Sequence, residues 1–499
     1  MKRNNVLKIL NIIIVAILLF CIVYFTSFFS KQNTPISSSK INLILDEASW
    51  KYDSINNVYY QLGVPYCAKQ LSEKNQKFDV YVPGEYLIGK KDSNGTYKYE
   101  INIKGKKAGY NAETAPIIIS IQSKESIEQE VHEKYNYEDI VDYINEGYIY
   151  IWPGMRGLKE NKKAESDEEY SNAIIDGITD LKALVRFCRF NDRILPGNVE
   201  KIIAYGINGG GTKSAILGAS GDSELYSSKL LAIGAIMTND EGKGMSDSVN
   251  GTTCASPINN LEISKKSYAW INEQYIDAKD SEKQKKISEA ALEYSSYINK
   301  MKLKSEDGTL LYLNETNEGI YTSGTYSNYM LAQIEKSINM FLQNTTFPYT
   351  SVEENITYAT AKEYVESLNA SVRWIMYDEN TNSVKINSFK DFANFYKDKN
   401  IKEDDKKSLD EYNPYYFLSD KYSGKDSSYI SRNWNICTLI DEKYSNFLPE
   451  DNLKLILQKN EDVRKIDYTC IWAKDYSNKE KNQIVFESFK KWLNNLYSK

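Results

Sequence analysis

The chain has 499 residues, enough for one large domain with an insertion or for two domains of ordinary size. Hydrophobic residues make up 41% and aromatic residues 13%, with 40 tyrosines, which excludes wholesale disorder. The net charge of −6 arises from interspersed acids and bases without long one-sign blocks, so nothing in it points to nucleic acid as a partner.

Met1-Lys2-Arg3 opens the chain, and an apolar stretch from Ile9 to Phe29 follows. Roughly twenty apolar residues match the thickness of a bilayer core. A cleaved signal peptide would have a shorter apolar region followed by small residues at its cleavage site, and the stretch has neither. Leu19-Phe20-Cys21-Ile22 likewise lacks small residues before the cysteine. Residues 1–30 therefore read as an uncleaved single-pass transmembrane anchor. Lys2, Arg3 and Lys8 precede it, so the bulk of the chain is expected outside the cytoplasm. Residues 31–40, rich in serine, read as a polar stalk.

From residue 41 to 261 short β-rich runs alternate with helical patterns, the mark of a mostly parallel sheet with helices on both faces. The expected strands are Val58–Gly63, Phe78–Val82, Ile117–Ile121, Tyr148–Trp152, Ile202–Gly206 and Leu231–Met237. Between the fourth and fifth, Ile174, Ile178, Leu181, Val185 and Cys188 recur at helical spacing. That stripe packs on the sheet, while Asp180, Lys182, Arg186 and Arg189 are expected to stay wet.

Residues 262–430 change to lysine- and glutamate-rich helical segments, including Ser281–Leu303, Tyr329–Leu342 and Ala361–Tyr377. The alternation returns over residues 431–499 with a strand Trp434–Ile440, a helix Pro449–Lys459, a strand Ile466–Trp472 and a helix Lys479–Tyr497. The simplest organisation is one α/β domain, 41–261 plus 431–499, interrupted by a helical insertion placed where a lid would sit.

The segment Gly206-Ile207-Asn208-Gly209-Gly210-Gly211 follows an expected strand and precedes an expected helix, the layout of a nucleophile elbow. In G-x-S-x-G the middle residue carries the nucleophilic oxygen, and here it is Asn208. A phosphate-binding loop fails on register, because Thr212 separates Gly211 from Lys213. Asparagine tolerates positive φ, so Asn208 can hold the strained turn. The helix N-terminus at Gly209 and Gly210, with Lys213 nearby, offers backbone N–H groups and a cation to a small aromatic or carboxylate ligand. A pocket that serves packing alone is the competing reading.

Taken together, Gly206–Ser220 resembles the elbow and following helix of bacterial tannases and related feruloyl esterases. Five further segments resemble that family in the same order: Gly63–Tyr66 with Phe78–Pro83, Tyr148–Gly157, Asp180–Arg186 with Asn191-Asp192 and Pro196-Gly197, Pro257–Leu261 with Tyr268-Ala269-Trp270, and Asn413–Tyr415 through Trp434–Asp441. The resemblance implies an α/β-hydrolase fold with an inserted helical lid, and a serine–acid–histidine triad. By position Asn208 replaces the serine, Asp441 retains the acid, and Trp472-Ala473-Lys474-Asp475-Tyr476 contains no histidine. In the lid, Lys397 falls near the family's lysine for the phenolic acid, and Lys443 stands where the family has a second acid.

The chain has one histidine, His132, flanked by charged residues that suggest a solvated helix or loop. An acyl-transfer enzyme needs an alcohol or thiol and a base to take its proton, so an inactive relative is expected. Active alternatives are an aspartate formed by deamidation at Asn208-Gly209 and a Ser/Lys arrangement from Ser123, Ser214 and Lys474. The loop Gln122–Ser126, not glycine-rich, puts the oxyanion hole in doubt. No cofactor is expected, and no histidine or cysteine spacing suggests a metal. Cys437 and Cys470 end two neighbouring strands and are either a disulfide or two separate buried thiols.

Overall fold

The computed structural model describes residues 43–497 apart from 96, 125, 258–260, 272–280, 315–322, 352–354, 370–371, 397–409, 441–446 and 474–475. The expected anchor and stalk, and Lys397, Asp441, Lys443 and Lys474, lie outside the described residues. Among the described residues no helix is long and apolar enough to cross a membrane.

The strands in chain order are β1 (Lys51–Asp53), β2 (Val58–Pro65), β3 (Lys77–Pro83), β4 (Leu87–Lys91), β5 (Tyr97–Ile101), β6 (Pro116–Ile121), β7 (Ile149–Pro153), β8 (Asn198–Ile207), β9 (Gly251–Ala255), β10 (Tyr349–Thr350), β11 (Thr357–Tyr358), β12 (Ile375–Asp378), β13 (Ser383–Ile386), β14 (Asn433–Ile440) and β15 (Lys465–Trp472). Among the described residues nine of them form one sheet in the order β1-β2-β3-β7-β6-β8-β9-β14-β15. β1, β2 and β3 run antiparallel to their neighbours, and the strands from β7 to β15 are parallel. Parallel strands covered on both faces read as unbroken apolar runs, and β6, Pro-Ile-Ile-Ile-Ser-Ile, is buried at every position.

Three layers result. The helices α1 (Val141–Asn145), α2 (Asp167–Phe190), α3 (Gly209–Ala219), α4 (Ser227–Ala232), α5 (Leu261–Ile271), α6 (Ser281–Met301), α7 (Thr325–Asn344), α8 (Ala361–Leu368), α9 (Phe389–Tyr396), α10 (Pro414–Leu418), α11 (Leu448–Leu457) and α12 (Asn478–Leu496) follow in chain order. One sheet face carries α1 and α12, where Tyr143 meets Tyr150 and Phe489 meets Tyr205. The other carries α2, α3 and α11. Between β9 and β14 the chain forms α5–α10 together with the two small hairpins β10-β11 and β12-β13.

Two expected elements are corrected. Leu231–Met237 is not a strand: α4 runs through Ala232, Leu231 is 58% exposed, and Gly234 turns the chain at φ +65°. The sheet instead takes Gly251–Ala255, short and threonine-rich but wholly buried. Gly251 belongs there because a Cβ would lie 2.9 Å from Trp492 and 3.0 Å from Ile203. The expected helix Ala361–Tyr377 stops at Leu368. Asn369 ends it by accepting hydrogen bonds from the N–H groups of Trp374 and Ile375, and Ile375–Asp378 then pairs with Ser383–Ile386.

The charged residues of α2 are also corrected, since three of the four are buried. Arg156 grips Asp180 through Nε and Nη2, and Gln76 donates to the same carboxylate. Lys182 and Arg186 converge on Asp247 at 2.7 and 2.6 Å. Burial pushes the Asp247 carboxyl up, but those two cations outweigh it and hold the pKa below its usual value. Arg156, just after β7, and Asp247, in the segment between α4 and β9, lie against α2, which is why its polar side is not wet. Arg189 reaches Glu200 at the surface.

Candidate functional site

β8 hands over to α3 at Asn208, which has φ 53° and ψ −120°, outside the regions that side chains ordinarily occupy. Its N–H donates to the carbonyl of Ala255 at the end of β9, and its own carbonyl accepts from Thr212 N. The flanking glycines are required by contact. A Cβ on Gly206 would sit 2.1 Å from the Gly210 oxygen, one on Gly210 would sit 1.9 Å from the Ile121 oxygen, and one on Gly211 would sit 2.5 Å from the Ala255 oxygen. The sharp strand–turn–helix is thus wedged between the ends of β6 and β9, and only glycine fits on either side of its tip. Asn208 itself is exposed, while Gly209, Gly210 and Gly211 are buried.

Lys213 turns away from the tip. It is 1% exposed, and its Nζ donates to Ser123 Oγ at 2.6 Å and to the Lys124 carbonyl at 3.4 Å. It ties α3 to the loop that follows β6. In that loop the N–H of Gln122 is already given to Gln129 Oε1 at 2.8 Å, and Gln129 Nε2 donates to the carbonyls of Ser120 and Pro153. One candidate oxyanion donor is therefore committed within the fold. Ser214 is a packing residue, with Oγ donating to the Thr253 carbonyl and sharing a 2.6 Å hydrogen bond with Thr252 Oγ1. Of the imagined Ser/Lys arrangement, Ser123 lies beside Lys213, and Ser214 faces the sheet. The sequence reading missed the Ser123–Lys213 pair, which joins residues 90 apart along the chain and has no local signature.

The histidine expected on a solvated segment is half-buried. His132 Nδ1 and the His132 backbone N–H both lie within hydrogen-bond distance of Asp79 Oδ2, at 2.9 and 2.8 Å. Asp79, fully buried on β3, also takes the Gly63 N–H, and the imidazole rests against Trp152 with ring centroids 4.5 Å apart. This pairing closes β2, β3 and β7 together. The structure does not bring His132 to Asn208 by any hydrogen bond.

At the end of β15, where the resemblance calls for a histidine, Trp472 and Ala473 are 1% and 0% exposed. Trp472 Nε1 donates to Tyr364 Oη on α8 at 2.7 Å, and its ring lies 6.1 Å from that of Trp374. Tyr476 meets Phe341 of α7. Aromatic residues of the β9–β14 insertion thus occupy the space over that strand end.

Cys437 pairs with Thr469 in the β14–β15 register, and Cys470 pairs with Thr438. Neighbouring positions along a strand face opposite sides, so the two thiols lie on opposite faces of the sheet. Both are free and buried, which eliminates the disulfide reading. Burial raises the Cys437 thiol to about 11. Among the described residues no group of three or more histidine, cysteine or acidic side chains is placed to hold a metal ion.

No family model matches the chain, and no curated protein matches its sequence. Among solved structures it is similar to the native tannin acyl hydrolase of Lactobacillus plantarum, with TM-score 0.61 and 20% identity over 90% of this chain and 98% of that one. The tannin acyl hydrolase solved in complex with ethyl gallate gives the same score and identity over 90% and 99%. The tannase of Fusobacterium nucleatum gives 0.59 and 21% over 90% and 99%. The overlap takes in the insertion as well as the sheet, and the chain has the tannase-like form of the α/β-hydrolase fold.

Proposed function

We propose that the chain is a membrane-anchored, extracytoplasmic pseudo-hydrolase of tannase-like fold, which binds a small aromatic or carboxylate ligand, or a partner protein, without turning over an ester. The observation that carries this reading is the elbow. Its backbone is built for a nucleophile, Asn208 stands exposed at its tip, and an amide nitrogen is no nucleophile at neutral pH. The absence of a base agrees: the one histidine is engaged by Asp79, and the region Trp472–Tyr476, where the resemblance calls for a histidine, contains none. Asp441 alone does not make a catalyst. The apolar stretch Ile9–Phe29 supports the anchor.

A second reading, an active carboxylic-ester hydrolase, has one observation in its favour: Ser123 Oγ and Lys213 Nζ are 2.6 Å apart, a hydroxyl within reach of an amine. One experiment separates the two. The full-length chain in detergent is assayed against a panel of phenolic and short-chain aryl esters beside Asn208→Ser, Asp441→Ala and Ser123→Ala, with folding verified. The expected result is no turnover above buffer in any of the four. Turnover by the native chain that falls in Ser123→Ala or Asp441→Ala sinks the pseudo-hydrolase reading.

A further inference from the structure

α11 is buried along its whole length between the sheet and the insertion, yet it carries Glu450, Asp451, Asn452 and Lys454. Such a helix has no wet face, so each polar group must be satisfied by protein. Asn452 and Lys454 are satisfied by the insertion. Asn452 accepts from Tyr326 Oη at 3.0 Å and donates to Tyr294 Oη at 3.1 Å, and those two hydroxyls share a 2.7 Å hydrogen bond. Lys454 Nζ is bound to Glu306 and, at 2.8 Å, to Tyr329 Oη. The Tyr415 hydroxyl donates to the Pro449 carbonyl. Over a few residues α11 therefore clasps α6, α7, α10 and the segment around Glu306.

Asp451 is satisfied only in part. It is 0% exposed, one carboxyl oxygen accepts from the Tyr468 hydroxyl of β15, and the other has no hydrogen-bond partner. The nearest cation, Lys454, is held by Glu306 and Tyr329. Among the described residues the other groups that bear on Asp451 are Glu450 beside it on its own helix, Glu306, the hydroxyls of Tyr294, Tyr326, Tyr329 and Tyr415, and the Cys470 thiol. Those groups are neutral or negative. A carboxylate there would be a buried charge with half its oxygens unsolvated and, among the described residues, no counter-ion of its own.

We propose that the insertion is seated on the sheet by a proton: the surface centred on Leu448–Leu457 holds while the Asp451 carboxyl is neutral and loosens when it ionises. Burial, the largest influence on this carboxyl, raises its pKa to about 8, with Lys454 opposing and Glu306 adding to the rise. The direction follows from linkage. With the insertion seated the carboxyl keeps its proton up to about pH 8, and with it unseated the pKa returns to roughly 3.9. The seated form thus binds one proton more across that window, so seating weakens as pH rises through it, by up to about tenfold per pH unit, and levels off above it. Loosening would uncover the ends of β14 and β15, where Trp472 lies under Tyr364.

Hydrogen exchange read by mass spectrometry on the full-length chain in detergent tests this, from about pH 5 to about pH 9 and corrected for intrinsic rates. In the native chain, protection of Ser281–Met301 and Thr325–Asn344 is expected to fall with pH, while Pro116–Ile121 holds. Asp451→Asn keeps the shape and the acceptor oxygen, and its protection is expected to be flat. Glu306→Gln, at a half-exposed position, removes a negative neighbour and frees Lys454, so its profile should level off at lower pH. Parallel profiles in the native chain and Asp451→Asn overturn the proposal; if Asp451→Asn does not fold, an unmoved profile in Glu306→Gln overturns it equally.

Discussion

Replacing Gly210 by alanine should destabilise the chain, although the position lies inside a helix. By intrinsic propensity the change would stabilise α3 by about 1 kcal/mol. The structure reverses the sign. The added carbon would lie 1.9 Å from the Ile121 carbonyl oxygen and 2.7 Å from its carbon. Ordinary contact needs more than about 3.4 Å, so roughly 1.5 Å of backbone movement is required. Ile121 cannot supply it cheaply, because β6 is laddered to β7 on one side and to β8 on the other, with Ile121 opposite Gly206. Overpacking against a fixed backbone costs about 3 kcal/mol, a sizeable part of the ~5–15 kcal/mol that holds a domain folded. Urea unfolding followed by tryptophan fluorescence measures it, with Gly244→Ala as the control. A Cβ at Gly244 meets nothing within 4 Å, so that variant should stay within about 0.5 kcal/mol of the parent. If Gly210→Ala matches Gly244→Ala, the elbow is not wedged against β6 and the description of the site fails.

Two further outcomes follow from buried chemistry. Asp247→Asn replaces the carboxylate shared by Lys182 and Arg186 with a neutral amide and leaves two buried cations without a counter-charge there, and equilibrium unfolding should register a loss of about 3–5 kcal/mol; a loss under 1 kcal/mol would mean that water reaches these cations. Cys437 and Cys470 should each alkylate after unfolding without reductant, since they lie on opposite faces of the sheet, and should resist a thiol reagent at about pH 8 in the folded chain because burial raises both thiols. A disulfide-linked peptide joining them would contradict the register of β14 and β15.

The central strands were legible because parallel strands buried on both faces leave a plain mark, as in Pro116–Ile121 and Asn433–Ile440. β9 was not, since Gly-Thr-Thr-Cys-Ala has little apolar content and its place depends on Trp492 and Ile203 leaving room only for glycine. Leu231–Met237 misled for the converse reason: it is apolar, yet part of it is a surface helix. The elbow could be read from the order of strand, glycines and helix, including the positive φ at Asn208. The destinations of Lys213, His132 and Lys182 could not. Each is settled by a partner far along the chain, at Ser123, Asp79 and Asp247, and charge beside an apolar stripe looks the same whether it faces water or a buried counter-ion.

The same distinction explains why the shape of the elbow does not depend on the side chain at its tip. What shapes the turn is backbone contact: Gly206 against Gly210, Gly210 against Ile121, Gly211 against Ala255, and the hydrogen bond from Asn208 N to the Ala255 carbonyl. None of these involves the side chain at position 208, which is exposed and makes no hydrogen bond among the described residues. Substituting that side chain therefore carries little penalty provided the residue accepts positive φ, and asparagine does. At the end of β15 bulk is what the insertion packs against, and Trp472 supplies it. Catalysis and folding thus make separable demands on this fold. The glycines answer to contact with β6 and β9, whereas the residue at the tip of the turn need only accept positive φ.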